Sequence, residues 1–383
     1  MSADPAAKAG TPHLLAASLA CAIVAGLLWT GRAAAVRWEH ARLSDFAPEP
    51  FPLKNQGLAW QRVAATTPSA LPLYGSSEMV KRADNKAGEF FRDSPTGFEV
   101  SPVGAGGTTS IIILQKLAAL GPDLKDKKIA ISLSPSWFFR KTASPYFYEG
   151  NFSAMAASEF AFGSNLGTEL KREIAARMLQ FPESLKKTPL LELAVTCLAS
   201  QRRLDHALFW ALWPLGKLQN IIFDLQDHFE AVVHHVPKPK GPPHSPIANP
   251  IKVRESQAPP LDDDVRHGGD PVFLEHMATA MEWSDLDLLL RTITEIHARP
   301  LLLCIPLDGS LYEEAGISRS ARQRFYTTLR AHADRFHFPL VAFEEHDEDP
   351  TFLVAHHYHL SGVGWMSYDQ ALDAFFHDQP VNP

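Results

Sequence analysis

Short apolar runs alternate with longer segments of helical periodicity along most of this 383-residue chain. Runs that end in glycine, serine or proline predict strands, and segments with apolar residues every three or four positions predict helices. The predicted strands are 71–74, 98–103, 128–133, 300–305 and 340–343. The predicted helices among them are 110–120, 283–297, 318–336 and 362–376. Alternating strands and helices favour an α/β fold whose parallel sheet is covered on both faces, with its site beyond the carboxyl ends of the strands.

A stretch without charged residues lies near the amino terminus, from Ala9 to Gly31. About 23 helical residues span roughly 35 Å, which is enough to cross the hydrocarbon core of a bilayer. We predict an uncleaved transmembrane anchor, and a cleaved signal peptide with Ala33–Ala35 as its cleavage site is the alternative. More positive charges follow the stretch than precede it, and a simple positive-inside count would leave the rest of the chain in the cytoplasm.

The middle of the chain differs from the rest, because 152–233 is helical in pattern throughout. The aromatic stretch Phe209–Trp213 within it predicts part of the core of a helical insertion. The alternative is a surface that docks on a membrane or a partner helix. The proline-rich and charged segment that follows predicts a loop. The predicted organisation is a cytoplasmic tail (1–12), an anchor (13–31), a stalk (32–65), an α/β domain (66–150 and 272–383), a helical insertion (151–235) and a proline-rich loop (236–271).

Composition restricts the function classes. Apolar residues make up 45% of the chain and charged residues 21%, as in a globular protein with a substantial core. The net charge of −7 argues against broad nucleic-acid binding. The three cysteines form no disulfide framework, and no cysteine–histidine spacing matches a zinc site. We therefore expect no metal and no cofactor.

Two motifs almost three hundred residues apart predict acyl-transfer chemistry. Gly75-Ser76-Ser77 follows an apolar strand, so Ser77 would sit on a sharp strand-to-helix turn with its hydroxyl and backbone N–H exposed. A late histidine, His359, is the candidate base. The Ser77 N–H and a donor from the glycine-rich turn at Gly107 would form an oxyanion hole. Taken singly, each motif is more often structural: the glycine turns as tight packing, and His359 as a core or helix-cap residue.

The order of the motifs resembles the DltD family. The motifs that carry the resemblance are Gly75-Ser-Ser-Glu78, Gly104-Ala-Gly-Gly-Thr108, Ser134-Pro-Ser-Trp-Phe138, Asn151-Phe-Ser153, Ile305-Pro-Leu-Asp-Gly309 and His359-Leu-Ser-Gly-Val-Gly-Trp365. The similarity spans roughly 71–376 and leaves the proline-rich segment unmatched.

The resemblance implies the three-layer α/β/α sandwich of SGNH hydrolases, with the helical middle as the family's insertion and one N-terminal membrane helix. It implies a domain on the outer, extracytoplasmic side of the cell membrane, against the simple charge count. The partners it implies are a membrane-bound O-acyltransferase, the D-alanyl carrier protein with its loading ligase, and an envelope polymer such as teichoic acid as substrate. By position, Ser77 would be the nucleophile, His359 the base, and Gly107 part of the oxyanion hole.

This chain departs from the family pattern at two positions. The family usually has an aspartate three residues before the histidine, where this chain has His356. The carboxylates that could orient His359 instead include Asp349. The polar residue of the Ser-Pro-X-Trp-Phe turn is usually glutamine in the family, and here the shorter Ser136 would be the oxyanion donor.

Three functional hypotheses follow. The first is a serine acyltransferase or esterase that handles D-alanyl esters on an envelope polymer through an acyl group on Ser77. The second is a degenerate scaffold that binds carrier or polymer and assists the membrane acyltransferase without covalent chemistry, as the histidine at position 356 favours. The third is an acetyl-ester enzyme of an exopolysaccharide, because a fold alone does not select the acyl group.

Overall fold

A five-stranded parallel sheet forms the centre of the computed structural model, which describes residues 10–140, 144–235, 261–354 and 358–381. The strands are β1 (Ala70–Gly75), β2 (Glu99–Gly104), β3 (Lys128–Leu133), β4 (Arg299–Cys304) and β5 (Leu340–Val341), in the order β2-β1-β3-β4-β5. The predicted parallel sheet is confirmed. β5 is shorter than predicted, because Phe343 adopts a left-handed conformation (φ 50°) that ends the extended chain.

Seventeen α-helices lie within the described ranges. They are α1 (Gly10–Ala41), α2 (Leu43–Phe46), α3 (Pro52–Gln56), α4 (Ala59–Thr66), α5 (Ala87–Asp93), α6 (Ser110–Leu120), α7 (Pro145–Asn151), α8 (Ala154–Ser158), α9 (Thr168–Met178), α10 (Pro182–Leu185), α11 (Pro189–Ala199), α12 (Arg203–His235), α13 (Asp263–Thr279), α14 (Glu282–Glu295), α15 (Gly309–Glu314), α16 (Arg319–Arg335) and α17 (Gly362–Phe376). Short 3₁₀ turns occupy Ser77–Met79, Gly121–Leu124, Pro135–Phe139 and Glu344–His346, and a π-helical turn occupies Glu159–Gly163.

The sheet separates two hydrophobic layers, because successive residues of a strand point to opposite faces. In β4, Leu302 and Cys304 belong to the larger layer, and Leu301 and Leu303 to the smaller one. The larger layer packs under α6, α14 and α16, and the smaller under α5 and α17. The molecule therefore has the three-layer α/β/α arrangement that was predicted.

Helix α1 is long and apolar enough over His13–Ala41 to cross a membrane, and no other helix in the described ranges meets that criterion. It does not stop at the predicted end of the anchor, residue 31, but continues to Ala41. The predicted stalk also differs from the structure, because α4 is buried: Trp60, Val63 and Ala64 are 3%, 2% and 0% exposed. These apolar side chains pack into two small hydrophobic clusters, so this segment belongs to the fold.

The predicted helical insertion contains α8 to α12. Of the predicted proline-rich loop, residues 236–260 lie outside the described ranges, whereas α13 begins at Asp263, inside the span predicted as loop. Its first turn carries Asp263 and Asp264, which favour a helix amino terminus, and it passes Pro271 by a kink at Gly269.

Candidate active site

The end of β1 forms a tight turn that presents Ser77. A Cβ atom at Gly75 would lie 2.3 Å from Oε1 of Glu78, so only glycine allows that carboxylate to fold back under the strand. The same Oε1 accepts a 2.8 Å hydrogen bond from the backbone N–H of Ser76. The Ser77–Met79 3₁₀ turn begins directly afterwards. Ser77 remains half-buried, while Glu78 is 2% exposed.

His359 lies against this serine. Its Nε2 is 2.8 Å from Oγ of Ser77, and the histidine is 5% exposed. When Nε2 accepts a hydrogen bond from the Ser77 hydroxyl, the neutral ring carries its own proton on Nδ1. A histidine in this tautomer is oriented to remove the serine proton.

A short antiparallel contact fixes the backbone of His359. Its carbonyl accepts a 2.9 Å bond from the N–H of Val354, and Leu353 pairs with Leu360. Ser361 then caps α17, because its hydroxyl accepts bonds from the N–H groups of Val363 and Gly364 at 3.1 and 3.2 Å. The histidine is therefore held where a strand-like segment meets a capped helix.

The glycine-rich turn after β2 is adjacent to Ser77. Gly104 pairs with Gly75 across β1 and β2, and a methyl group added at Gly106 would lie 3.9 Å from Cβ of Ser77. Gly107 has φ +88°, and a Cβ atom there would lie 2.3 Å from the ring of Phe147. Glycine is thus required at position 107 by both conformation and space.

Backbone donors are available at this turn. Outside the helices and strands of the described ranges, no backbone–backbone hydrogen bond has the N–H of Ser77 or of Gly107 as its donor. Two N–H groups on adjacent strand ends are the usual composition of an oxyanion hole.

Ser136 lies on the opposite side of Ser77 along the same sheet edge. It belongs to the Pro135–Phe139 turn after β3, and β3 is the other neighbour of β1. Its hydroxyl is 3.3 Å from that of Ser134, and the residue is half-buried. The structure therefore brings the ends of β1, β2 and β3 together, as predicted for a parallel sheet.

Asn151 belongs to one of the family motifs, but the sequence predicts no role for it. The structure buries it to 3% exposure, and its Nδ2 donates to the carbonyls of Gly106 and Phe147, both at 3.0 Å. Its Oδ1 is 3.1 Å from the Thr108 hydroxyl. These bonds hold the glycine-rich turn that follows β2 against helix α7.

A buried lysine extends this network. Nζ of Lys116 donates a 2.5 Å bond to Oδ1 of Asn55, whose Nδ2 is 3.5 Å from Oδ1 of Asn151. Burial lowers the pKa of Lys116 to about 7. No local signal predicts these contacts, because the partners are 61 and 96 residues apart in sequence.

Glu78 is the second residue without a predicted role. Burial raises the pKa of its carboxyl, against hydrogen bonds from Ser76 and Ser132 and the charge of Lys86. Lys86 in turn donates a 2.8 Å bond to the carbonyl of Met79. The nucleophile turn is therefore supported by a buried carboxyl and a buried lysine.

A family model described as DltD protein matches residues 49–259 and 273–377, which is most of the chain. The chain belongs to the DltD family. Protein DltD of Bacillus subtilis (strain 168) is 26% identical over 360 residues, covering 88% of this chain and 89% of that protein. Protein DltD of Staphylococcus aureus (strain NCTC 8325 / PS 47) is 23% identical over 328 residues, covering 81% of each chain. Protein DltD of Lacticaseibacillus rhamnosus is 23% identical over 404 residues, covering 97% of this chain and 91% of that protein.

DltD proteins are implicated in the D-alanylation of teichoic acid. In this member, His356, at the position expected for the family's aspartate, lies outside the described ranges. Asp349 is described, and its carboxylate accepts bonds from the N–H and the hydroxyl of Thr351 at 2.8 and 2.7 Å. Its other oxygen is 3.4 Å from Nδ1 of His346. These contacts hold Asp349 within its own turn, and its predicted role in orienting His359 stays a prediction.

Among the residues that the structure describes, one group of side chains has the composition of a metal site: Asp262, Asp264 and His276. Nε2 of His276 is 2.9 Å from Asp264, and its Nδ1 is 3.1 Å from the carbonyl of Phe139. The Phe139 carbonyl and the Asp264 carboxylate therefore lie beside the two ring nitrogens of His276.

Proposed function

We propose that this protein is a membrane-anchored serine acyltransferase or esterase that acts in the D-alanylation of a cell-envelope polymer on the extracytoplasmic side. The observation that carries the proposal is the 2.8 Å contact between Oγ of Ser77 and Nε2 of His359 in a DltD family member. The anchor is α1, and the polymer is teichoic acid or a similar glycan. The pathway partners would be a membrane-bound O-acyltransferase and the D-alanyl carrier system.

The proposed reaction has two halves. His359 removes the proton of the Ser77 hydroxyl while Oγ attacks the carbonyl carbon of a D-alanyl ester or thioester. The negative charge on the carbonyl oxygen is stabilised by the N–H groups of Ser77 and Gly107, with the Ser136 hydroxyl as a third donor. The bond to the leaving group breaks, and His359 returns its proton to that group. A polymer hydroxyl, or water, then attacks the acyl-serine with His359 again as base, which restores the free serine.

Active-site labelling tests this mechanism. The full-length protein in detergent is treated with a fluorophosphonate, and the mass of the intact chain reports covalent modification. We expect wild type to gain one label, and Ser77→Ala and His359→Ala to gain none. Ser76→Ala is the matched control, because Ser76 is the adjacent serine, is 3% exposed and should not react. Equal labelling of wild type and Ser77→Ala would refute the proposal.

One observation favours a second function, a scaffold that binds carrier or polymer without covalent chemistry. Position 356 holds histidine, and the Asp349 carboxylate is bound to Thr351 and His346. Cells that carry only Ser77→Ala distinguish the two functions. Full envelope D-alanine in that strain would support the scaffold, and its loss with normal protein levels would support acyl transfer.

A further inference from the structure

Exposed apolar side chains concentrate on two helices. Of the large hydrophobic residues exposed in the described ranges, all but five lie on α1 or α12. Those on α1 belong to the predicted membrane span. Those on α12 are Leu204, Leu208, Trp210, Trp213, Leu215, Leu218, Ile221, Ile222, Phe229 and Val233. A patch of this kind on a soluble surface indicates an interaction site.

The polar and apolar sides of α12 are reversed relative to a surface helix of a soluble domain. Its protein-facing side carries buried polar groups: Asn220 accepts a 2.6 Å bond from Ser158, and Asp227 accepts bonds from the N–H groups of Leu58 and Ala59 at 2.7 and 2.6 Å. Its outward side is apolar, with Leu218 and Ile222 each 54% exposed. Water would favour the reverse arrangement, whereas an apolar surrounding favours this one.

The position of α12 relative to α1 indicates what surrounds it. Arg32, directly after the charge-free stretch, forms an ion pair with Asp224, and Glu39 bonds to His228 at 2.8 Å. Because the residue numbers of both partners rise together, α1 and α12 are parallel, and both lead away from the membrane span toward their carboxyl ends. Consequently the residues of α12 that precede Asp224 extend back toward the membrane side, and Trp210 lies about 21 Å along the helix from Asp224 at 1.5 Å per residue.

The shape of the apolar side also favours lipid over a partner helix. Leu204, Leu208, Leu215, Leu218 and Ile222 alone would form a narrow stripe of the kind that a partner helix covers. Trp210, Pro214 and Ile221 widen it into a broad face. Nζ of Lys217 lies 5.3 Å from the ring centre of Trp213, so the aromatic ring stabilises this charge by a cation–π contact.

We propose that the outward side of α12, from Leu204 to Ile222, binds the lipid bilayer beside the α1 anchor. The domain would then touch the membrane at two places, through the span and through this helix. This inference is independent of the acyl chemistry, because it uses neither Ser77 nor His359.

Spin-label accessibility tests the contact in the full-length protein. Single cysteines are placed at Leu218→Cys and Ile222→Cys in a Cys21→Ser background, since Cys197 and Cys304 are buried. Val24→Cys in the span is the lipid control, and Arg324→Cys on α16 is the water control. The protein is reconstituted in nanodiscs of equal parts POPC and POPG, and collisions with oxygen and with the water-soluble nickel complex NiEDDA are measured.

We expect the labels at 218 and 222 to keep oxygen collisions and lose NiEDDA collisions, as at position 24. Labels as accessible to NiEDDA as the one at position 324 would overturn the proposal, because the face would then lie in water. Immobilised labels that neither reagent reaches would also overturn it, because a second copy of the chain would then cover the face. As a label-free check, brominated lipid should quench part of the tryptophan fluorescence, and Trp210→Phe should reduce the quenched part.

Discussion

Asn151→Ala should slow the covalent labelling of Ser77, although Asn151 itself does not contact Ser77. The substitution removes the two 3.0 Å bonds to the carbonyls of Gly106 and Phe147, and the contact with Thr108. At about 1 kcal/mol for each hydrogen bond to a carbonyl, the free energy of unfolding should fall by about 2 kcal/mol. The larger effect should be on rate, because the released turn carries the Gly107 donor.

The expected loss of rate has an upper limit. Complete removal of one oxyanion donor slows acyl transfer about 10²–10³-fold. A loosened turn keeps its donor but holds it less precisely, so we expect a fluorophosphonate labelling rate about 10-fold to 100-fold below wild type. The unfolding free energy is measured by urea denaturation of the same preparation.

Asn220→Ala is the matched control. Asn220 is also buried, at 5% exposed, and it also accepts a side-chain hydrogen bond, but it lies on α12 and bonds to Ser158. It should lose about 1 kcal/mol of stability, for its one hydrogen bond, and keep the labelling rate of wild type. The reasoning would be refuted if both variants slowed labelling equally, or if Asn151→Ala labelled at the wild-type rate.

Three further outcomes follow from other contacts. Gly107→Ala should lose labelling and about 1–2 kcal/mol of stability, measured by the same two assays, because the left-handed backbone is strained with a Cβ and the methyl group overlaps Phe147. Arg177→Ala should lower the unfolding free energy by about 3–5 kcal/mol in urea denaturation, because it strands a fully buried Asp285 carboxylate that Arg177 contacts at 2.7 and 2.9 Å; wild-type stability would contradict this. Burial lowers the pKa of His228, but hydrogen bonds to Asp224 and Glu39 outweigh it and raise the pKa from 6.5 to about 9. The folded pKa exceeds the unfolded one, so the stabilisation is complete below about pH 6.5 and lost as pH rises through about 9. The stability difference between wild type and His228→Gln should therefore shrink from pH 7 to pH 10, and a constant difference would contradict it.

The elements that the sequence predicts well are those with strong local signals. Helix α6 was predicted over 110–120 and spans Ser110–Leu120, because a glycine ends it and its apolar pattern is continuous. β3 was predicted over 128–133 and has those bounds. The role of α4 was missed, since its burial depends on Asp227, which holds Leu58 and Ala59 from 168 residues or more away.

The same distinction applies to the candidate site. Ser77 and the Gly107 turn follow from the rule that parallel strands end at one edge, and His359 from its place before a capped helix. The hydrogen bonds of Asn151 could not be predicted, because they depend on how α7 packs on the glycine-rich turn. Glu78 was visible in the motif, but only the fold shows that its carboxyl turns back to the N–H of Ser76.

Helix α1 continues without a break from the predicted span into the domain, so no flexible linker separates the two. Arg32, Trp38 and Glu39 contact Asp224, Trp60 and His228 of the domain, so the proposed anchoring of α1 would fix the height and the rotation of Ser77 relative to the bilayer together. One residue of α-helix corresponds to a rotation of about 100°. An insertion of a single alanine after Gly31 would therefore turn the lipid-facing side of the span by that angle relative to the active site, a change that a flexible tether would absorb unnoticed.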